Sequence, residues 1–195
     1  MNWLAHVFLS ESGVEVRLGN LLADIVKGTD REGMSPEFLR GVRAHQAIDA
    51  FTDSHPVVRR SRARVDSSQR RFSGVLVDVF YDHLLATNWE RYSATPLAGF
   101  TSAFYADVTA HPIALPEPAR TALARIVRHD LLGSYVRIEG VERSLQRLSA
   151  RLAARWNRPF RLEDGVTALR ADHGGFEADF IEFFPQLQAH VATLS

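Results

Sequence analysis

A chain of 195 residues with 46% hydrophobic and 24% charged side chains has the make-up of a globular protein and the length for one sizeable core, which excludes disordered and fibrous classes. Its 23 basic and 23 acidic residues cancel, so no global field draws it to nucleic acid or to a membrane surface. It has no cysteine, which excludes disulfides and thiolate ligands and leaves nitrogen and oxygen as the only means of holding a metal.

No apolar run approaches a membrane span, and the first residues lack the basic segment and small-residue cleavage site of a secretory signal, so cytoplasm is the expected address. Apolar residues recur at three- and four-residue spacing, and period-two alternation is scarce. The reading is an all-α helical bundle forming a single domain over 1–195, with helices predicted at 2–10, 14–27, 36–53, 56–66, 70–87, 96–110, 116–131, 139–156 and 173–192.

The helix over 2–10 is apolar except for His6, which suits either a hydrogen-bonded core histidine or a ligand. The next, over 14–27, carries Asn20 one turn before Asp24 on the same face. Asp24 could be a cap, a partner for Lys27 or an arginine, or a ligand. The helix over 36–53 opens on Ser35-Pro36, an N-cap followed by proline in the first turn, and closes at His55-Pro56. One of its faces runs Phe38, Val42, His45, Asp49, Thr52 and so turns from apolar to ionisable. His45 and Asp49, one turn apart, can address a common atom, and Asp53 continues in that direction.

Arg59, Arg60, Arg62 and Arg64 crowd the helix over 56–66, and Arg70 and Arg71 begin the one over 70–87. From Phe72 to Ala86 the only ionisable groups besides Tyr81 are Asp78, Asp82 and His83. Two carboxylates at i and i+4 in an apolar helix call for a cation, which a divalent metal or an arginine could supply. His129-Asp130 is the dipeptide that names the HD phosphohydrolases, but no ligand-like group is near it in sequence and it reads as a helix end. In the helix over 139–156, Arg143, Arg147, Arg151 and Arg155 form a four-residue row facing away from a stripe of Val141, Leu145, Leu148, Leu152 and Trp156. Such a row is either a solvated face or a docking surface. The stretch 157–165 reads as a loop. Taken together, four segments each offer nitrogen or oxygen ligands from otherwise apolar faces, the pattern of an octahedral site for a hard or borderline divalent ion and of phosphoester hydrolysis.

The segments Asn2-Trp-Leu-Ala-His6, Gly19-Asn-Leu-Leu-Ala-Asp24, His45-Gln-Ala-Ile-Asp49-Ala-Phe-Thr-Asp53-Ser-His55-Pro56 and Asp78-Val-Phe-Tyr-Asp82-His83-Leu-Leu resemble the acyl carrier protein phosphodiesterases. The likeness extends to Trp89, Leu132-Gly-Ser-Tyr135, Glu139-Gly140 and Phe183-Phe-Pro185, and departs at Gln46, where many relatives carry a basic residue. The resemblance implies a divergent HD-like fold and a manganese-dependent enzyme, with Mg, Fe or Co as other possible ions. Such an enzyme removes 4'-phosphopantetheine from the serine of holo-acyl carrier protein. Asp24, His45, Asp49 and Asp78 are then the expected metal residues. Asp82 is a further ligand or the water-positioning base, and His6 or His83 is the proton donor. An acidic carrier protein would dock on Arg59, Arg60, Arg70 and Arg71 beside the site. Two rival readings are an HD-type hydrolase of a nucleotide or other small phosphoester, and a non-catalytic helical binding protein whose histidines and aspartates pair with arginines.

Overall fold

The computed structural model describes residues 1–111 and 113–194, and among these the chain forms ten α-helices and no strand. In chain order they are α1 (Trp3–Phe8), α2 (Val14–Leu22), α3 (Pro36–Ser54), α4 (Pro56–Arg64), α5 (Ser73–Thr87), α6 (Leu97–Ala110), α7 (Glu117–Arg128), α8 (Ile138–Trp156), α9 (Val166–Ala171) and α10 (His173–Ala192). The all-α reading holds.

Helix α5 is the axis. Ten of its residues between Leu76 and Ala86 are buried, and a helix apolar all round must be covered all round. Helices α1, α4, α8 and α10 and the 3-10 turn Gly133–Val136 provide that cover. Between α5 and α10 lies a file of aromatic rings. Tyr81 packs edge-on against Phe180, and Phe180 stacks on Phe184 with centroids 5.0 Å apart. Burial of each such ring contributes about 1.5–3 kcal/mol.

Helices α2 and α3 lie side by side because two glycines allow it. A methyl group at Gly19 would sit 1.9 Å from the Phe38 carbonyl oxygen, and one at Gly41 2.0 Å from that of Val16. Backbone thus meets backbone, and this close approach sets Asn20 of α2 against His45 of α3.

Several boundaries differ from the sequence expectation. Helix α2 ends at Leu22, five residues early, because the Arg31 guanidinium donates to the carbonyls of Ala23 and Val26, at 2.9 and 2.8 Å, and so satisfies the open helix end. Asp24 therefore lies in a turn. Residues Ser67–Phe72 form a separate 3-10 turn before α5. The expected loop over 157–165 contains a 3-10 turn at Leu162–Gly165, and α9 follows it, a helix of six residues too short to show periodicity. Ser35 caps α3 as expected, accepting from Phe38 N, with Pro36 in the first turn.

Candidate metal centre

His6 on α1 and His45 and Asp49 on α3 converge, each offering a donor atom within 4.8 Å of the others. His6 Nε2 is 3.2 Å from Asp49 Oδ1, and His45 Nε2 is 3.1 Å from Asp49 Oδ2. The two imidazoles stack with centroids 4.1 Å apart. Asp24 Oδ2 approaches His45 Nε2 to 3.7 Å from the far side, and Asp24 also meets Lys27 at 3.3 Å.

One residue orients both rings. Asn20, fully buried, donates from Nδ2 to Ser10 Oγ at 2.8 Å, which leaves Oδ1 to accept from His6 Nδ1 at 2.7 Å. Its backbone carbonyl accepts from His45 Nδ1 at 2.8 Å. Ser10 in turn donates to the His6 carbonyl at 2.7 Å. Each histidine therefore carries a proton on Nδ1 and turns Nε2 toward Asp49. His6 Nε2 is buried and makes no hydrogen bond, although a carboxylate oxygen lies within contact distance. Burial lowers the His6 pKa, and the neighbouring His45 reinforces this against a partial offset from Asp49, so the ring is neutral. The neutral, buried Nε2 of His6 facing a carboxylate oxygen is repelled by it unless a cation lies between them. The donor set of two imidazoles and a carboxylate fits a metal ion on that ground.

Asp78 and Asp82, one turn apart on α5, do not share a cation. The Met1 ammonium spans Asp78 Oδ1 at 3.1 Å and Asp49 Oδ1 at 3.3 Å. Burial disfavours its charge, but Asp78 and then Asp49 outweigh burial and raise its pKa to about 10. Asp82 points the other way and accepts from Leu4 N at 2.7 Å and Ala5 N at 3.2 Å. Asn2 provides no side-chain cap for α1, so this carboxylate from α5 satisfies the helix start and fixes the element that carries His6. Burial raises the Asp82 pKa to about 7 against the opposing effect of those two N–H groups. His83 Nδ1 donates to the Tyr135 carbonyl at 2.7 Å, and its ring meets His173 edge-on.

A depression of about 440 Å³ opens over the cluster, lined by Asp24, Lys27, Arg31, His45, Gln46 and Asp49. Lys27 and Arg31 bring positive charge to its mouth. Sequence reading noted Lys27 only as a possible partner of Asp24 and passed over Arg31, whose proximity depends on the unexpected turn after α2. Gln46 is a wall of this mouth.

Of the four arginines expected to dock a partner, Arg60 is engaged with Asp179 and Glu182, and Arg59 donates to the Ser54 carbonyl at 2.8 Å. Arg70 and Arg71 lie in the 3-10 turn, with Arg71 over the Phe72 ring. Asp53 pairs with Arg62. Asp130 accepts from Gly133 N and Tyr105 Oη, which gives the His129-Asp130 dipeptide a structural part.

Fold and site together define an all-α protein with a His-His-Asp cluster able to hold a metal ion under an open, partly cationic mouth. The sequence pattern of the family described as acyl carrier protein phosphodiesterase matches residues 1–187, and the chain belongs to that family. Relatives bearing the name acyl carrier protein phosphodiesterase include one from Escherichia coli, 32% identical over 196 residues, covering 98% of each chain. One from Photorhabdus laumondii is 29% identical over 191 residues, covering 96% of this chain and 93% of the relative. One from Serratia proteamaculans is 29% identical over 188 residues, covering 96% and 95%. No solved structure matches. Among the described residues no helix is long and apolar enough to cross a membrane.

Proposed function

We propose that this chain is a metal-dependent phosphodiester hydrolase that removes 4'-phosphopantetheine from the serine of holo-acyl carrier protein. The family and its named relatives support the reaction class and the protein substrate. The observation that carries the chemistry is the pair of imidazoles, each held at Nδ1 by an oxygen of Asn20, that turn their Nε2 atoms onto the two oxygens of Asp49.

We assign His6, His45 and Asp49 as ligands, with Asp24 completing the shell and Asp78 holding the Met1 ammonium beside it. Two imidazoles with carboxylates and no thiolate suit a borderline ion, Mn(II) first, with Fe, Co and Mg as competitors. The ion, when bound, supplies Lewis acidity toward the phosphoryl group and water. Asp24, open at the mouth, orients the attacking water by accepting its hydrogen bond. Lys27 and Arg31 face the non-bridging phosphoryl oxygens and offset their charge. Asp82 acts as a positioning residue through α1, and His83, held by Tyr135 and away from the lining of the mouth, has a structural part. The HD-like relationship belongs to this reading, as histidines and aspartates from packed helices around one cation.

Incubating the purified protein with holo-acyl carrier protein and Mn(II), followed by mass spectrometry of the carrier, should show loss of the phosphopantetheine group, and chelator should abolish it. A carrier of unchanged mass at high enzyme concentration refutes the reading.

A further inference from the structure

The arginines of this chain fall into two populations. On α4, Arg60, Arg62 and Arg64 each pair with a carboxylate: Arg60 with Asp179 and Glu182, Arg62 with Asp53, Arg64 with Asp172 and Asp179. Those three are neutralised from within; Arg59 on the same helix reaches only the Ser54 carbonyl, and Arg71 lies over the Phe72 ring. On α7 and α8, Arg125, Arg143, Arg147, Arg151 and Arg155 have no ion pair among the described residues.

Three of these five surround an indentation of about 360 Å³ whose lining includes Asn2, Trp3, Arg125, Ser144, Arg147 and Arg151. Arg147 is half-buried there, and burial together with the like charges of Arg143 and Arg125 lowers its pKa. A guanidinium removed from water among other guanidiniums, with no carboxylate of its own, is a site prepared for an external anion. The indentation adjoins the metal centre through the chain itself. Asn2 Nδ2 donates to Tyr135 Oη at 2.8 Å, Tyr135 Oη lies 3.1 Å from Ser144 Oγ, and the residue before Asn2 is Met1, whose ammonium touches Asp49 and Asp78.

Resting on the reading given under Proposed function, we propose that this α7–α8 face, centred on Arg125, Arg147 and Arg151, receives carboxylates of the carrier protein and seats it beside the metal centre. The spread of the cations selects that occupant. From Arg143 to Arg155 the row advances twelve residues, about 18 Å at 1.5 Å per residue, and Arg125 stands across it on α7. A single phosphate is too small to span that row, whereas a protein surface with several acidic side chains at helical spacing meets all of it. Docking here, rather than on Arg60, Arg62 and Arg64 with their own carboxylates, sets both encounter rate and register for the scissile serine.

The test uses the full-length protein with its metal. The exposed pair Arg125→Glu with Arg151→Glu should raise KM for holo-acyl carrier protein about tenfold or more through the docking step, leave kcat within a few-fold, and flatten the dependence of KM on salt. Arg147→Gln should raise KM in the same direction, and calorimetric metal affinity in each variant reports that the centre is intact. An unchanged KM in Arg125→Glu/Arg151→Glu, with the wild type active, overturns the docking face and leaves the proposed activity standing. A rise in KM confined to Arg59→Glu with Arg70→Glu overturns it in favour of the α4 side. A wild type that releases no phosphopantetheine removes the activity and the docking proposal together.

Discussion

Asn20 holds two imidazoles with two different oxygens, and its donation from Nδ2 to Ser10 Oγ fixes the side-chain oxygen toward His6. Replacing it with alanine leaves the backbone carbonyl on His45 but frees His6 to put its proton on Nε2, which blocks the metal-facing lone pair. Partners of this kind change metal affinity by about 10–100-fold. Asn20→Ala should therefore weaken Mn(II) binding by that factor in titration calorimetry, while helicity by circular dichroism stays near wild type. Equal affinities in the two proteins would remove Asn20 from the centre. At this scale the sequence was informative where ligands share a helix. His45 and Asp49 are an i, i+4 pair on one face, and no tertiary knowledge is needed to join them. His6 was recognisable only as an odd residue on an apolar helix, since the site's third donor comes together through the packing of α1 on α2 and α5. Asp82 was misleading in one respect. Its spacing from Asp78 suggests a shared cation, yet it turns to the uncapped start of α1, a relation between elements that residue spacing does not carry.

At the level of elements, the nine predicted helices are all present, and the shortfalls lie where side chains from elsewhere decide the boundary. Arg31 ends α2 early by occupying its carbonyls, and α9 is held by Leu162, Val166 and Leu169 in the core and not by a pattern of its own. The contact of α4 with α10 gives the clearest consequence of pH. Asp179, 1% exposed, accepts from Arg60 Nε at 2.6 Å, Arg64 Nε at 2.8 Å and Ser61 Oγ at 2.8 Å. Burial pushes its pKa up, but Arg64, Arg60 and Ser61 outweigh burial and hold the carboxyl below the usual carboxylate range. A depressed folded pKa means that stability from this group is complete above the unfolded value, near 3.9, and drains away as pH falls toward the lower folded value. Asp179→Asn should thus lower the urea midpoint at neutral pH by the equivalent of about 2–3 kcal/mol, and the gap from wild type should narrow below about pH 4. A gap independent of pH would show that the carboxylate's charge has no part in joining the two helices.

For the molecule as a whole, the proposed metal centre is a clasp between segments far apart in sequence, since His6, Asn20, His45, Asp49 and Asp78 come from α1, α2, α3 and α5. None of these side chains is in place in the unfolded chain, so an ion that binds the assembled cluster must stabilise the entire fold by mass action. At a free ion concentration one hundred times Kd the gain is about 2.7 kcal/mol, and each further tenfold adds about 1.4. For a chain of this length that amounts to a rise in melting temperature of about 5–10 °C between chelator and saturating Mn(II). The logarithmic climb with concentration separates a bound ion from a general salt effect, which would not depend on the cluster. In His45→Ala or Asp49→Ala the climb should vanish even if the metal-free melting temperature changes little, because the clasp has lost a ligand while the aromatic core between α5 and α10 is untouched. A wild-type melting temperature identical in chelator and in Mn(II) would mean that the converging Nε2 atoms of His6 and His45 do not hold an ion, and the hydrolytic chemistry built on them would fall with it.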